Sequence, residues 1–290
     1  MYLVRRTLVV YALEPLHVGA AHGRGDVDLP VARDVATDDP ILTFSGVRGM
    51  LRDALTNDHE RVVLLGDMPP RRSADRPGRG ALGTTDAWPL LFPIRSSRGG
   101  FAWVTCSRFL RLFARAVDEE APVSDGHGAR VGPGSLLTCR APGGGDLVMI
   151  AGRRYPTTRD GGTLEWLAGK LSSLVPSSAS LARRVAIVPD RVCADLLREE
   201  MERRHRVRIE AATGAVAWGA LFSLEVVPRD AIFFASLLAS SPRVLGSATG
   251  GLEDAGDVIV RAKSRLEGAP RLTIGGEITV GMGRCLARVI

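Results

Sequence analysis

The chain has 290 residues, 45% of them apolar, 24% charged and 5% aromatic, long enough for one large core or two smaller ones. So much apolar surface excludes a disordered chain, and 33 Gly and 17 Pro without period exclude a collagen-like one. The net charge is +6, and all but Lys170 and Lys263 of its 38 cationic side chains are arginine, whose planar fork binds phosphate bidentately and so favours a nucleic-acid partner.

Residues 2–13 alternate Val, Leu and Tyr and predict an opening strand. Residues 14–40, rich in Gly, Asp and Pro, predict a long loop or irregular hairpin. A helix is expected over 47–55, with Ser45 or Gly46 near its N-cap. Residues 69–85 are basic and rich in breakers, and read as a mobile segment. Short strands are expected at 88–94 and 101–105, then a short amphipathic helix at 109–117. The Gly- and Pro-rich stretch 122–159, with an apolar patch at 147–150, reads as an elaborated insertion. Helical spacing returns at 164–174 and again at 190–204, after the apolar run 185–188.

Residues 206–211 and 215–227 alternate apolar and polar around Ala212-Thr213-Gly214, a hairpin signal. An apolar strand at 230–238, a helix at 251–266 and closing strands at 271–274 and 285–290 complete the chain. The order is an α+β pattern, and it fits two ferredoxin-like halves better than a doubly wound sheet.

No P-loop, dinucleotide fingerprint, zinc-protease helix or nucleophile elbow is present. Cys106, Cys139, Cys193 and Cys285 stand singly, without zinc or redox spacing, and read as reduced thiols. The apolar run 231–239 is too short to cross a bilayer, and no cleavable pattern follows residues 1–6, so the expected location is the cytoplasm with no membrane partner. His17 closes the first strand, where a histidine is either structural or functional. Asp26 and Asp28 point the same way on an extended segment, where two carboxylates can hold a divalent cation, act as a base, or simply shape a turn.

Arg48 and Arg52 lie four apart on one helical face near a helix N-terminus, an arrangement that suits a phosphate. Arg206 and Arg208 share one face of the expected hairpin, as a phosphate contact or as solvated surface. The Gly-rich run 275–283 is not a dinucleotide fingerprint; it is a flexible turn or a place where backbone approaches phosphate closely.

His17-Val18-Gly19, Val27-Asp28-Leu29-Pro30-Val31 with Arg33-Asp34, and Ser45-Gly46-Val47-Arg48-Gly49-Met50-Leu51-Arg52 resemble the opening of the RAMP superfamily of CRISPR proteins. Asp86, then Leu90-Leu91-Phe92-Pro93-Ile94-Arg95-Ser96 and Gly100-Phe101-Ala102-Trp103-Val104-Thr105, is similar to one branch of it, the repeated backbone subunit of the type III-B (Cmr) effector complex. Arg208-Ile209, Thr213-Gly214-Ala215-Val216, Gly219-Ala220-Leu221-Phe222 and Glu225 continue the likeness, and Gly275 to Gly283 resembles the superfamily's C-terminal Gly-rich loop. It spans most of the chain apart from about residues 115–180.

The resemblance implies a single domain over 1–290: a ferredoxin-like palm, a thumb hairpin at about 206–227 and a variable finger insertion at about 115–180. It implies a filament of copies along a CRISPR guide RNA, alongside other type III-B subunits, each thumb wedging into the guide–target duplex. Target RNA would be cut beside each wedge by attack of its own 2′-hydroxyl, with a loosely bound divalent metal, Mg²⁺ in expectation. The essential acid of the family's Val-Asp-x-Pro motif falls on Asp28, which becomes the expected catalytic residue and metal contact, with Asp26 and Glu225 in support. RNA contacts are expected at His17, Ser45, Arg48, Arg52, Gly281 and Gly283.

Three features depart from the family pattern. Leu224 replaces the first of two consecutive acids, Phe44 stands where a small hydroxyl residue is usual, and the 69–83 stretch is unusually arginine-rich. Two other readings therefore stand beside the first: a filament subunit with a silent site, and a stand-alone endoribonuclease that processes guide precursors, for which histidines beyond His17 and His22 near the site are expected.

Overall fold

Strands buried on both faces organise the molecule. The first, β1 (Val4–Ala12), is buried from Thr7 to Ala12, with Leu8, Val10 and Ala12 turned to one core and Val9 and Tyr11 to the other. That is the pattern of a strand covered on both sides. The computed structural model describes residues 2–20, 23, 25–66, 79–123, 126–175, 178–210, 212–242 and 251–290, and of residues 178–180 and 217–220 the backbone alone. His22 and most of the arginine-rich stretch, residues 67–78, lie outside the described residues.

Helix α1 (Phe44–Ala54) buries Val47, Met50, Leu51 and Ala54, a helical stripe. Its cap is Thr43, which is extended and accepts from the Gly46 N–H at 3.3 Å, so Ser45 and Gly46 lie inside the first turn. A second helix the sequence pattern did not reveal, α2 (Asp58–Leu65), is capped by Asn57 and ended by Gly66 at φ 70°. Eight residues are too few for periodicity to show.

β2 (Leu82–Thr84) forms inside the stretch read as mobile, because it pairs with a neighbouring strand of the sheet; β3 (Trp88–Arg95), β4 (Phe101–Cys106) and α3 (Ser107–Ala116) follow close to expectation. The insertion holds β5 (Ala129–Val131), β6 (Thr138–Arg140), β7 (Asp146–Ile150), β8 (Arg153–Arg159), α4 (Gly161–Leu171) and α5 (Ser178–Arg184). The apolar run 185–188 is β9 (Val185–Val188). Helix α6 (Asp190–Glu199) stops short of the expected 204, because β10 (Glu202–Ile209) pairs with β11 (Val216–Val226) as a separate two-stranded hairpin. β12 (Ile232–Ala239), α7 (Ala255–Gly268), β13 (Leu272–Thr273) and β14 (Arg284–Val289) close the chain.

Apart from that hairpin, the strands named form a 12-stranded sheet, ordered β13-β14-β1-β12-β3-β4-β9-β5-β8-β7-β6, with β2 beside β12. The stretch β14-β1-β12-β3, with α1 and α7 packed on one face, is one complete ferredoxin-like unit. The remainder extends that unit instead of repeating it. β4 joins β9 in parallel and β5 joins β9 antiparallel, so the insertion continues the palm sheet. Helix α6 shares the core of α1 and α7, while α3 and α4 cover the opposite face through Leu110, Phe113, Leu164 and Leu167. Buried Glu60 of α2 binds Arg261 and Arg265 of α7, which ties α2 to the palm.

Candidate RNA cleft and acidic row

A cleft of about 490 Å³ lies where the chain leaving β1 meets the N-terminal end of α1 and the Gly-rich loop; its walls include His17, Ser45, Gly46, Arg52, Gly276 and Ile278. Backbone builds it. The Gly276 N–H donates to the His17 carbonyl at 2.8 Å, and Gly275 sits at φ 83° so close beneath that a Cβ would lie 2.2 Å from the same oxygen. Only glycine fits there. Opposite, the first turn of α1 brings Ser45 and Gly46 to the cleft at the positive end of the helix dipole, a setting for a phosphate.

The expected RNA-contact residues fall into two groups. His17, Ser45 and Arg52 line the cleft. Arg48 is half-buried and its guanidinium donates to the Leu65 carbonyl at the end of α2, so it braces two helices instead of lining the cleft wall. Gly281 and Gly283, at φ 82° and 92°, shape the loop from behind: the Gly283 N–H donates to the Pro15 carbonyl at 2.9 Å, and the loop edge turned to the cleft is 275–278. A short 3₁₀ turn, Ile278–Val280, replaces the expected flexible turn.

His17 joins the cleft to the hairpin. It is buried, and its Nδ1–H donates to the Glu225 carbonyl at 2.8 Å, a direction fixed because a carbonyl only accepts. The Glu225 carboxylate is buried too; it accepts from the Val31 N–H at 3.2 Å and pairs with buried Arg33 at 3.4 Å. Glu225 therefore holds the acidic loop in place and does not face solvent. Leu224 points to the other side of β11, into an apolar cluster with Val226 and Met282. An acid at 224 would stand on the opposite face from Ser223, so the departure at Leu224 removes nothing from the surface that carries Asp28.

That surface is a row from one extended segment across the two strands of the hairpin. The segment carrying Asp28 runs beside β11 through a parallel Leu29–Leu224 bridge, and Ser223 of β11 pairs with His205 of β10. Asp28 Oδ2 accepts from the Ser223 N–H at 2.8 Å and from its hydroxyl at 2.9 Å. These donors, the backbone N–H first and the hydroxyl second, hold the Asp28 carboxyl below its ordinary value, and His205 adds in the same direction. Asp28 is exposed, so an ionised, oriented carboxylate faces solvent.

Asp26 is engaged elsewhere, its carboxylate paired with Arg203 at 2.9 Å. Arg206, on the hairpin's other face, is paired with Glu277 of the Gly-rich loop. His205 was missed in the sequence because residues 202–204 read as the end of a helix; strand alternation from Glu202 is the signal that places it opposite Ser223.

The divalent cation finds no ready-made cradle. Among the described residues no three His, Cys, Asp or Glu side chains converge as a metal site. Asp28 has Oδ2 tied to Ser223, Asp26 is held by Arg203, and Glu225 is buried against Arg33. These residues do not fit a resident metal, which needs several ligands from the chain.

The relatives agree with this architecture. Residues 9–286 match the model of the RAMP superfamily. The chain is 28% identical over 282 residues to the CRISPR system Cmr endoribonuclease Cmr4 of Pyrococcus furiosus, covering 94% of this chain and 92% of that protein. Its fold superposes on the crystal structure of oligomeric Cmr4 from Pyrococcus furiosus with a TM-score of 0.70 at 22% identity, over 98% of this chain and 97% of the other. On a chain of the type III-B Cmr-beta complex bound to cognate target RNA the TM-score is 0.71 at 18% identity, over 99% and 98%. No helix among the described residues is long and apolar enough to cross a membrane. With a family match running from β1 to β14 and a complete ferredoxin-like palm beneath it, the chain belongs to the RAMP superfamily.

Proposed function

We propose that this chain is the repeated backbone subunit of a type III-B effector complex, binding guide RNA along its cleft and cutting target RNA as an endoribonuclease at Asp28. Support for assembly and for cleavage comes from the relative that is named an endoribonuclease of the Cmr system and matches along nearly the whole chain. The observation that carries the cleavage site is the Asp28 carboxylate, exposed yet oriented by two Ser223 donors.

A guide phosphate in the cleft would meet the N-terminal turn of α1 on one side and Arg52 on the other. Target RNA would then lie across the outer face of the hairpin, where Asp28 stands. There an ionised carboxylate can take the proton of a 2′-hydroxyl as that oxygen attacks the adjacent phosphorus. The O2′–P bond forms, the P–O5′ bond breaks, and the products carry a 2′,3′-cyclic phosphate and a 5′-hydroxyl. Holding nucleophile, phosphorus and leaving oxygen in line supplies much of the rate. Any divalent cation that assists would arrive with the RNA phosphates.

The test is cleavage of target RNA by the complex assembled with its guide, wild type against Asp28→Ala. Regularly spaced products that fall by about 10²–10⁴-fold in the variant, with guide binding retained, are expected. Products equal in rate and position would remove Asp28 from the reaction.

A further inference from the structure

We propose that His205 is the proton donor to the leaving 5′-oxygen, acting across the scissile phosphate from Asp28. The inference rests on the cleavage reading above and deepens it by assigning the second proton.

The register carries the argument. Ser223 is bonded to Asp28 on one side and is the cross-strand partner of His205 on the other. Residues directly opposite on antiparallel strands present their side chains to the same face, so His205 stands beside Ser223, and Asp28, bonded to Ser223 from the neighbouring segment, completes the line. Two strand spacings separate the outer members by about 10 Å at the backbone. That span suits an acid and a base placed on either side of one phosphate, each within hydrogen-bond reach of about 3 Å.

Ser223 is not the nucleophile in this arrangement. Its hydroxyl donates to Asp28 Oδ2 at 2.9 Å and accepts from the Asp28 N–H at 3.0 Å, and its role is to fix the carboxylate.

The surroundings leave His205 available. It is exposed, whereas His17, the described histidine bonded to the same hairpin, is buried with Nδ1 given to a carbonyl. The charged groups facing His205 are Asp28 on the neighbouring segment and the Arg203–Asp26 pair beside it; Glu225, opposite Arg203, is buried and engaged with Arg33. An imidazole gives up a proton near neutral pH, as few other side chains do. The step balances: O2′ loses its proton to Asp28, the O2′–P bond forms, the P–O5′ bond breaks, and O5′ takes the proton of the His205 imidazolium. Solvent then restores both groups.

Replacing the leaving oxygen tests this directly. A target with sulfur in place of the bridging 5′-oxygen has a leaving group that departs as a thiolate without a proton. In the assembled complex, His205→Ala and His205→Gln should cleave the ordinary target about 10²–10⁴-fold more slowly than wild type and the sulfur target at close to the wild-type rate, with guide binding unchanged. An equal deficit on both targets, or no deficit on the ordinary one, overturns the assignment. Asp28→Ala serves as the independent arm. It should be slow on both targets, and wild-type cleavage by it would remove the cleavage reading without reference to His205.

Discussion

The cleft beside α1 and the row on the hairpin are joined by the hydrogen bond from the His17 imidazole to the Glu225 carbonyl and by the Arg206–Glu277 pair, yet they are made of different material. The cleft takes its shape from backbone: Gly275 and Gly276 lie directly on the His17 carbonyl, and the first turn of α1 closes the other wall. The row consists of side chains standing on a strand surface, and its two ends, Asp28 and His205, are exposed. Changes in the cleft should therefore appear first as lost stability and lost RNA binding. Changes in the row should appear in the chemistry, with the fold untouched.

The sharpest break of that comparison is expected at Gly275. A Cβ there meets a backbone carbonyl that cannot move aside, at a φ that L-residues seldom adopt, so Gly275→Ala should cost about 4 kcal/mol, at the exceptional end of single substitutions. Gly281, equally left-handed but with open space around it, should lose only about 1–2 kcal/mol on the same change. Thermal melting of the two variants distinguishes close approach from backbone strain alone; equal losses would mean that the His17 contact is unimportant.

Salt dependence comes next in size. Arg52 lines the cleft, and Arg52→Ala should lower the log–log slope of guide-RNA binding against salt by about 0.7, one single-strand phosphate contact. Arg48 braces the end of α2, so Arg48→Ala should reduce stability and leave the slope unchanged. A slope change confined to Arg48→Ala would move the phosphate site away from the cleft.

The smallest effect concerns pH. Donation from Ser223 lowers the Asp28 value, so the carboxylate stays charged through neutral pH and is lost only as pH falls through that lowered value. Ser223→Ala removes the hydroxyl and keeps the backbone N–H, the larger influence, so the acid limb of the cleavage profile should move part of the way toward higher pH. A profile that does not move would separate Asp28 from the acid limb.

Much of this was legible in the sequence where local pattern and burial agree. The stripe of α1, the apolar run that became β12 and the Ala212-Thr213-Gly214 turn all carry their own periodicity. The run Arg203–Arg204 did not, because arginine and glutamate are good helix formers and strand preference there comes from pairing with β11. That one misreading hid His205, whose importance depends on a partner 18 positions away and on a loop from the other end of the chain. Asp28 was singled out by resemblance to a motif; its distinction from Asp26 became physical only with the Ser223 and Arg203 contacts in view. The bracing role of Arg48 was equally invisible, since the Leu65 carbonyl it meets ends a helix too short to foresee.

The most direct measurement is target cleavage by the assembled complex carrying Asp28→Asn, which keeps the shape of the side chain and removes its charge. Guide and target binding like the wild type, with cleavage reduced by about 10²-fold or more, is the result the Asp28 assignment predicts. Cleavage at the wild-type rate with the same spacing would contradict it.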